Sequence, residues 1–351
     1  VLARTGGDEF AVIRSTNDDR TALTNLATNL LLRISRPFEI DDVQCRIGMS
    51  IGIASYPDQA GNVSDLLRNA DIALFRAKAD GRGLSCIFDE AIDIRQQHLF
   101  LLEQELRRAL ELNQFQLNYQ PIVEADTRRI ICYEALLRWH HPERGPVPPG
   151  DFIAIAEHLG MMGSIGHWVL ATACREATNW PASVGISVNL SPIQLNDEGF
   201  VDQVAGILRR TGLAPDRLSL EVTEGLLLEN NKNVLNIMDR LNRLGVRFAL
   251  DDFGKGHAGL GYLRQFPFAG IKIDKFFVDD IVDEPAARAI VAALITVSVA
   301  LNLSVVAEGV ETEAQLSTLR SLGCKHIQGY LTGRPAAAKT IKQAGLGVRT
   351  V

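Results

Sequence analysis

From Phe115 onward the chain alternates short apolar, strand-like runs with longer polar–apolar stretches of helical period. The runs lie near Gly185, Leu218, Phe248, Ile271, Val305 and Ile327, and each is followed by 10 to 20 residues with helical periodicity. Repeated strand–helix units predict a parallel sheet flanked by helices. At this number and length the expected form is a closed, TIM-barrel-like (β/α)8 barrel, an α/β fold.

Residues 1–88 follow a different pattern. Val1–Arg4 and Phe10–Ile13 flank Gly6-Gly7-Asp8 and predict a β-hairpin. A helical pattern runs from about Arg20 to Ser35 and stops before Pro37. Phe38 to Tyr56 predicts a second strand pair turning at Asp41-Asp42. Asp65 to Ala79 predicts an amphipathic helix closed at Gly81, and Ser85 to Phe88 a last short strand. Antiparallel strands with helices make an incomplete α+β region. Residues 89–113 are charged and helix-favouring, with apolar positions at Leu99, Leu102, Leu106, Ala109 and Leu110, and are expected to join it to the barrel over residues 114–351.

The polar exceptions to the barrel pattern carry the chemistry. Glu134, Asn189, Glu221 and the pair Asp251-Asp252 end four apolar runs, and Lys272, Glu308 and Gln328 stand in or just after three more. Strand alternation puts Glu221 on the face of Ser219, Asn189 on that of Ser187 and Asp251 on that of Ala249. Ile186, Val188, Phe248 and Leu250 take the opposite face, towards the helices. The polar set therefore points to the barrel axis, where buried charges need partners or a metal. Oxygen donors gathered from several strand ends suit hard divalent cations. A single such residue is ordinarily a helix cap or an ion-pair partner. From the residues alone a metal-dependent site and a structural polar network both stay open, and the number of converging strands favours the first.

Composition narrows the classes. A chain of 351 residues, 46% hydrophobic and 22% charged, suits about two domains of ordinary globular make-up. Its net charge of −6 offers no general basic surface for a nucleic-acid polymer. The five cysteines are scattered without CxxC spacing and read as reduced thiols. The apolar stretch Ala286–Leu303 includes Arg288, Thr296, Ser298 and Asn302, which suits a helix packed on a sheet.

Glu134-Ala135-Leu136-Leu137-Arg138-Trp139 resembles the motif that names the EAL family of cyclic di-GMP phosphodiesterases. The resemblance runs from about His98 to Gly345 through Tyr119-Gln120-Pro121-Ile122, Asn189-Leu190-Ser191-Pro192, Glu221-Val222-Thr223-Glu224, Asp251-Asp252-Phe253-Gly254, Lys272-Ile273-Asp274, Ala307-Glu308-Gly309-Val310-Glu311 and Gln328-Gly329-Tyr330-Leu331. It implies hydrolysis of cyclic di-GMP to linear pGpG by water activated between two Mg²⁺ or Mn²⁺ ions. Glu134, Asn189, Glu221 and Asp251 would hold the first ion, and Asp252 with the bridging Asp251 the second. Lys272 would orient or activate the water, and Glu308 and Gln328 would complete the shell. Arg138 would contact a phosphate, Gln120 would lie near a guanine, and Glu224 would brace the loop after the paired aspartates. That loop departs from the family's usual Thr-Gly-Tyr-Ser-Ser, reading Lys255-Gly256-His257-Ala258-Gly259. The metals are expected to press the Lys272 pKa down, while desolvation and the carboxylates pull in opposite directions.

Arg4-Thr5-Gly6-Gly7-Asp8-Glu9-Phe10, Gly48–Ala54 and Ala70–Lys78 resemble the later part of the GGDEF domain of diguanylate cyclases. This implies a parent protein with both domains, GTP binding at the complete first domain, and a fragment that does not itself make cyclic di-GMP. The resemblance also implies a homodimer and a cytoplasmic setting, the parent being anchored to a membrane if an upstream segment provides it. Two alternatives are a catalytically silent cyclic di-GMP receptor and a GTP-responsive regulatory module. Among the remaining features, His140-His141-Pro142-Glu143 reads as a solvated loop and Trp168 and Trp180 as packing residues. Arg209-Arg210 and Arg240–Arg243 read as helix surfaces, and Phe276-Phe277-Val278 as core or a dimer contact.

Overall fold

The computed structural model describes residues 1–7, 9–15, 20–35, 37–40, 43–45, 47–79, 83–89, 102–227, 232–253 and 265–343. The chain divides into two compact units, Val1–Leu101 and Leu102–Val351. Residues 90–101, Asp8, the Asp41-Asp42 turn, Gly81 and the Lys255–Gly259 loop, all named above, lie outside the described residues.

In the first unit β1 (Leu2–Arg4) and β2 (Phe10–Val12) pair antiparallel, as do β3 (Phe38–Ile40) and β4 (Val43–Cys45). Helices span Arg20–Ile34 and Val63–Ala79. One expectation is corrected: β5 (Ile51–Ile53) and β6 (Ser85–Ile87) pair parallel, because the helix Val63–Ala79 intervenes as the crossover that parallel strands require. This helix approaches β5 so closely that a Cβ on Gly52 would meet the Ala70 carbonyl oxygen at 2.0 Å. Several large apolar side chains stay in solvent, Leu2, Phe10 and Phe75 being 70%, 62% and 69% exposed.

The second unit is a closed eight-stranded barrel. Seven strands run parallel in the order β8 (Ile130–His141), β10 (Gly185–Asn189), β11 (Leu218–Thr223), β12 (Arg247–Phe253), β13 (Gly270–Ile273), β14 (Ser304–Ala307) and β15 (His326–Gln328). The eighth, β7 (Phe115–Glu124), closes the ring antiparallel to both β8 and β15. The all-parallel sheet expected from the repeats is thus corrected at one strand. Only residues 125–129 separate β7 from β8, too few for a crossover helix. Two short strands, β9 (Gly145–Val147) and β16 (Ala336–Ala337), extend the sheet on β8 and β7.

Helices on the outside bury one stripe each. In the helix Lys232–Arg243, Val234, Ile237, Met238 and Leu241 are buried at helical spacing, while Arg240 is half-buried and Arg243 exposed. The helix Glu313–Ser321 starts on a capping box, Thr312 accepting from the Gln315 N–H. Residues 102–109 are helical, with Leu102, Leu106 and Ala109 fully buried. Phe115, Trp139, Phe152 and Trp168 form one aromatic cluster with centroids 5.7–6.2 Å apart, and Trp180 packs on Tyr119 and Tyr133. Phe277 and Val278 are core, whereas Phe276 is exposed.

The solvated-loop reading of His140-His141 is corrected. Strand β8 continues through both, since the His140 N–H donates to the Gln114 carbonyl and His141 pairs with Gly145 of β9. His141 is buried edge-on against Trp139, its Nδ1 accepts from the Glu143 and Arg144 N–H groups, and its Nε2 lies 3.4 Å from Glu105 Oε2.

Candidate active site at the barrel mouth

The carboxyl ends of the parallel strands bring the polar exceptions together. Lys272, in the middle of β13, is 2% exposed and reaches Glu308 Oε1 at 2.6 Å, Glu221 Oε2 at 3.0 Å, Glu134 Oε2 at 3.3 Å and Asp251 Oδ1 at 3.4 Å. Glu134 comes from β8, Glu221 from β11, Asp251 from β12 and Glu308 from the residue after β14. Neighbouring side chains fix the carboxylates further. Asn189 Nδ2 donates to Glu134 Oε1 at 2.7 Å, Gln328 Nε2 donates to Glu134 Oε2 at 2.6 Å, and Ser187 Oγ donates to Glu221 Oε1 at 2.6 Å.

Asp252 poses a geometric problem that the backbone solves. Consecutive residues of a strand face opposite ways, so Asp251 and Asp252 cannot both look inward from a regular β12. Asp252 takes φ 55°, in the left-handed region that Asp tolerates better than most residues, and the register against β13 shifts between Leu250 and Phe253. Its N–H donates to Asp251 Oδ1 at 3.0 Å. The bend brings ligand oxygens of Asp251, Asp252 and Glu308 within 4.8 Å of one another.

The electrostatics follow from four carboxylates sharing one ammonium. Burial pushes Glu221 well above its usual range and raises Asp251; for both, Lys272 opposes the shift only in part. Burial likewise raises Glu308, to about 7. Glu134 differs: burial raises it, but Lys272 and the donors Gln328 and Asn189 outweigh that and hold it low. Burial pulls the Lys272 ammonium down, yet Glu134, Glu221, Glu308 and Asp251 together set it well above the ordinary lysine value. The cluster carries more negative charge than one lysine offsets, and its donors are all oxygen. It fits hard divalent cations on both counts.

The outer rim is set by β7, β8 and the segment after β15. Gln120 lies directly opposite Glu134 across the β7–β8 pair, accepts from Gln328 Nε2 at 3.2 Å and donates to the Gly333 carbonyl at 3.2 Å. Arg138, one inward position further along β8 than Leu136, is half-buried, and desolvation lowers its pKa. Glu224 is buried at the start of the helix Glu224–Leu227, and the loop assigned to it lies outside the described residues. The sequence reading did not single out Ser187 as a site residue; its only signal was the shared parity with Asn189. Nor did it single out the stack of Arg334 over the Tyr330 ring at 4.1 Å, which nothing in the strand pattern marks.

Comparison with known proteins places this geometry in a family. Residues 103–335 match the EAL domain model, and residues 1–84 match that of the diguanylate cyclase GGDEF domain. The bifunctional diguanylate cyclase/cyclic di-GMP phosphodiesterase MucR of Pseudomonas aeruginosa is 42% identical over 344 residues, 97% of this chain and 50% of MucR. The cyclic di-GMP phosphodiesterase PdeR of Escherichia coli is 36% identical over 343 residues, 96% of this chain and 51% of PdeR. The chain thus spans about half the length of these curated relatives. A solved PaMucR phosphodiesterase in complex with c-di-GMP superposes with a TM-score of 0.66 at 42% identity, over 70% of this chain and 99% of that one. With that match over residues 103–335 and its strand-end carboxylates gathered at the mouth of one barrel, the chain belongs to the EAL domain family.

Proposed function

We propose that this chain hydrolyses cyclic di-GMP to linear pGpG in the cytoplasm, with two Mg²⁺ or Mn²⁺ ions in each active site. The observation that carries the reading is the convergence of Glu134, Glu221, Asp251 and Glu308 on Lys272, with Asp252 turned in beside them. Similarity to MucR and PdeR supports the substrate.

Glu134, Asn189, Glu221 and Asp251 would hold one ion, and Asp251 with Asp252 the other. When bound, such ions offset the charge on the phosphoryl oxygens and lower the pKa of water, the two demands of phosphodiester hydrolysis near neutral pH. The protein's own groups do the rest. Lys272, fixed among the carboxylates, is the proton-bearing group that orients the attacking water. Glu308 holds Lys272 at 2.6 Å and completes the oxygen shell. Gln328 locks Glu134 to Gln120, and Gln120 in turn faces a guanine. Arg138, partly desolvated, binds a substrate phosphate with more force than a fully hydrated guanidinium would. Glu224 would brace the loop that follows the paired aspartates. A homodimer, and GTP at the GGDEF domain of a longer parent, belong to the same reading, with residues 1–88, 89–113 and 114–351 as partial GGDEF domain, joining segment and phosphodiesterase domain.

The test is to incubate the protein with cyclic di-GMP and Mn²⁺, with and without chelator, and follow pGpG by chromatography. Chelator-sensitive appearance of pGpG is expected. Tight binding without turnover would replace this reading with that of a silent cyclic di-GMP receptor.

A further inference from the structure

Strand β10 stands between β8 and β11, the strands that carry Glu134 and Glu221. It donates one hydrogen bond to each. Asn189 Nδ2 takes Glu134 Oε1 at 2.7 Å, and Ser187 Oγ takes Glu221 Oε1 at 2.6 Å. The remaining oxygen of each carboxylate, Oε2, faces Lys272 Nζ at 3.3 and 3.0 Å. Both carboxylates are therefore pinned at one oxygen by β10 and present the other to the centre of the site.

Ser187 lies one inward layer below Asn189 and pairs in register with Ser219, two residues before Glu221. From there its hydroxyl reaches diagonally upward to the carboxylate. At 2% exposure it is too deep to meet a substrate at the mouth. Glu221 itself is 1% exposed, so an Oε1 stripped of this donor would stay buried and lose a charge-assisted hydrogen bond. The carboxylate would then rotate towards another donor and carry Oε2 off the centre.

We propose that Ser187 is a positioning residue for the divalent-cation site, setting the rotation of the Glu221 carboxylate without touching cation or substrate. This rests on the metal-dependent reading above. Outer-shell hydrogen bonds of this kind are worth roughly 10–100-fold in metal affinity. The test is Mn²⁺ titration calorimetry on the full chain for wild type, Ser187→Ala and Ser187→Thr, with melting temperature and the Mn²⁺ dependence of turnover measured alongside.

Ser187→Ala is expected to weaken Mn²⁺ binding about 10–100-fold. Its turnover should recover at saturating Mn²⁺, because the loss lies in cation affinity. Ser187→Thr keeps the hydroxyl and should bind Mn²⁺ within a few-fold of wild type. The inference is overturned if Ser187→Ala binds Mn²⁺ as wild type does. It is equally overturned if the threonine variant fails as badly as the alanine variant, since packing and not the hydroxyl would then be the cause. A wild-type chain that binds no Mn²⁺ overturns the metal reading as well, which separates the two failures.

Discussion

The two halves of the site are built by different means. Glu134, Asn189 and Glu221 project from three neighbouring parallel strands, and the two carboxylates among them are buried and cross-tied by side-chain hydrogen bonds. Asp251, Asp252 and Glu308 are only partly buried, and they come together through a backbone irregularity in β12 and the first residue past β14. One half is held by the sheet, the other by a bend. The sheet-held half should therefore tolerate little change in geometry, while the bend-held half should respond to local chemistry with little effect on the fold.

The largest effect should come from the sheet-held half. Glu134→Ala is expected to cut turnover of cyclic di-GMP on the order of a thousandfold. A cation's electrostatic contribution is several kcal/mol, at about 1.4 kcal/mol per decade of rate. Circular dichroism should still report the wild-type fold, with a lowered melting temperature because Asn189 and Gln328 lose their buried acceptor. A Glu134→Ala protein that is metal-replete and active would erase the distinction between the halves along with the proposed function.

Lys272 is the element the halves share. Lys272→Met leaves its carboxylates buried without their ammonium, and removing one partner from a buried ion cluster costs about 3–5 kcal/mol. In chelator the melting temperature should fall accordingly, and added Mn²⁺ should recover most of the loss by supplying the missing positive charge. A variant as stable in chelator as the wild type would mean that the carboxylates hold protons in place of that charge.

Asp252→Asn keeps a residue that accepts φ near 55° while removing the charge. Mn²⁺ affinity should fall by at least the ~10–100-fold typical of an outer-shell partner, with the melting temperature unchanged. A large loss of stability would show the bend to be as structural as the strands.

The smallest effect is one of pH. Burial sets Glu308 at about 7, so its carboxylate form is lost as pH falls through that value, and a bound cation competes with the proton. Mn²⁺ affinity of the bend-held half should drop up to about tenfold per pH unit below 7 and level off above it. Glu308→Gln should flatten that dependence. The same slope persisting in the variant would assign the titration to another carboxylate.

The contrast also explains what the sequence could reveal. Glu134, Asn189, Glu221 and Lys272 were legible because strand parity alone fixes the direction of an inward side chain. Parity points Asp252 outward, so only the family resemblance named it, and the torsion at that residue turns it in. The direction of β7 was partly legible in the short connection before β8, but the repeating pattern downstream masked it. His141 misled because a His-His-Pro-Glu string looks like a loop, whereas pairing with Gln114 and Gly145 carries the strand through it. Ser187 stayed silent because serine at an inward barrel position is chemically unremarkable until its partner is known.

The antiparallel β7 has a consequence for access to the site. In a barrel of uniform direction the leading segment would enter at the end opposite the chemistry. Here Phe115, the first residue of β7, pairs with Trp139 beyond Arg138, so the chain arrives at the rim where substrate would enter. Gln114 grips this rim twice, its carbonyl accepting from the His140 N–H and its side chain from the Trp139 indole at 2.9 Å. Glu105, on the incoming helix, meets Arg144 and His141 there as well. The entry of the polypeptide is thus bolted to the same strand that carries Glu134 and Arg138. A tug on residues 102–114 is delivered to the doorway of the barrel rather than to its floor.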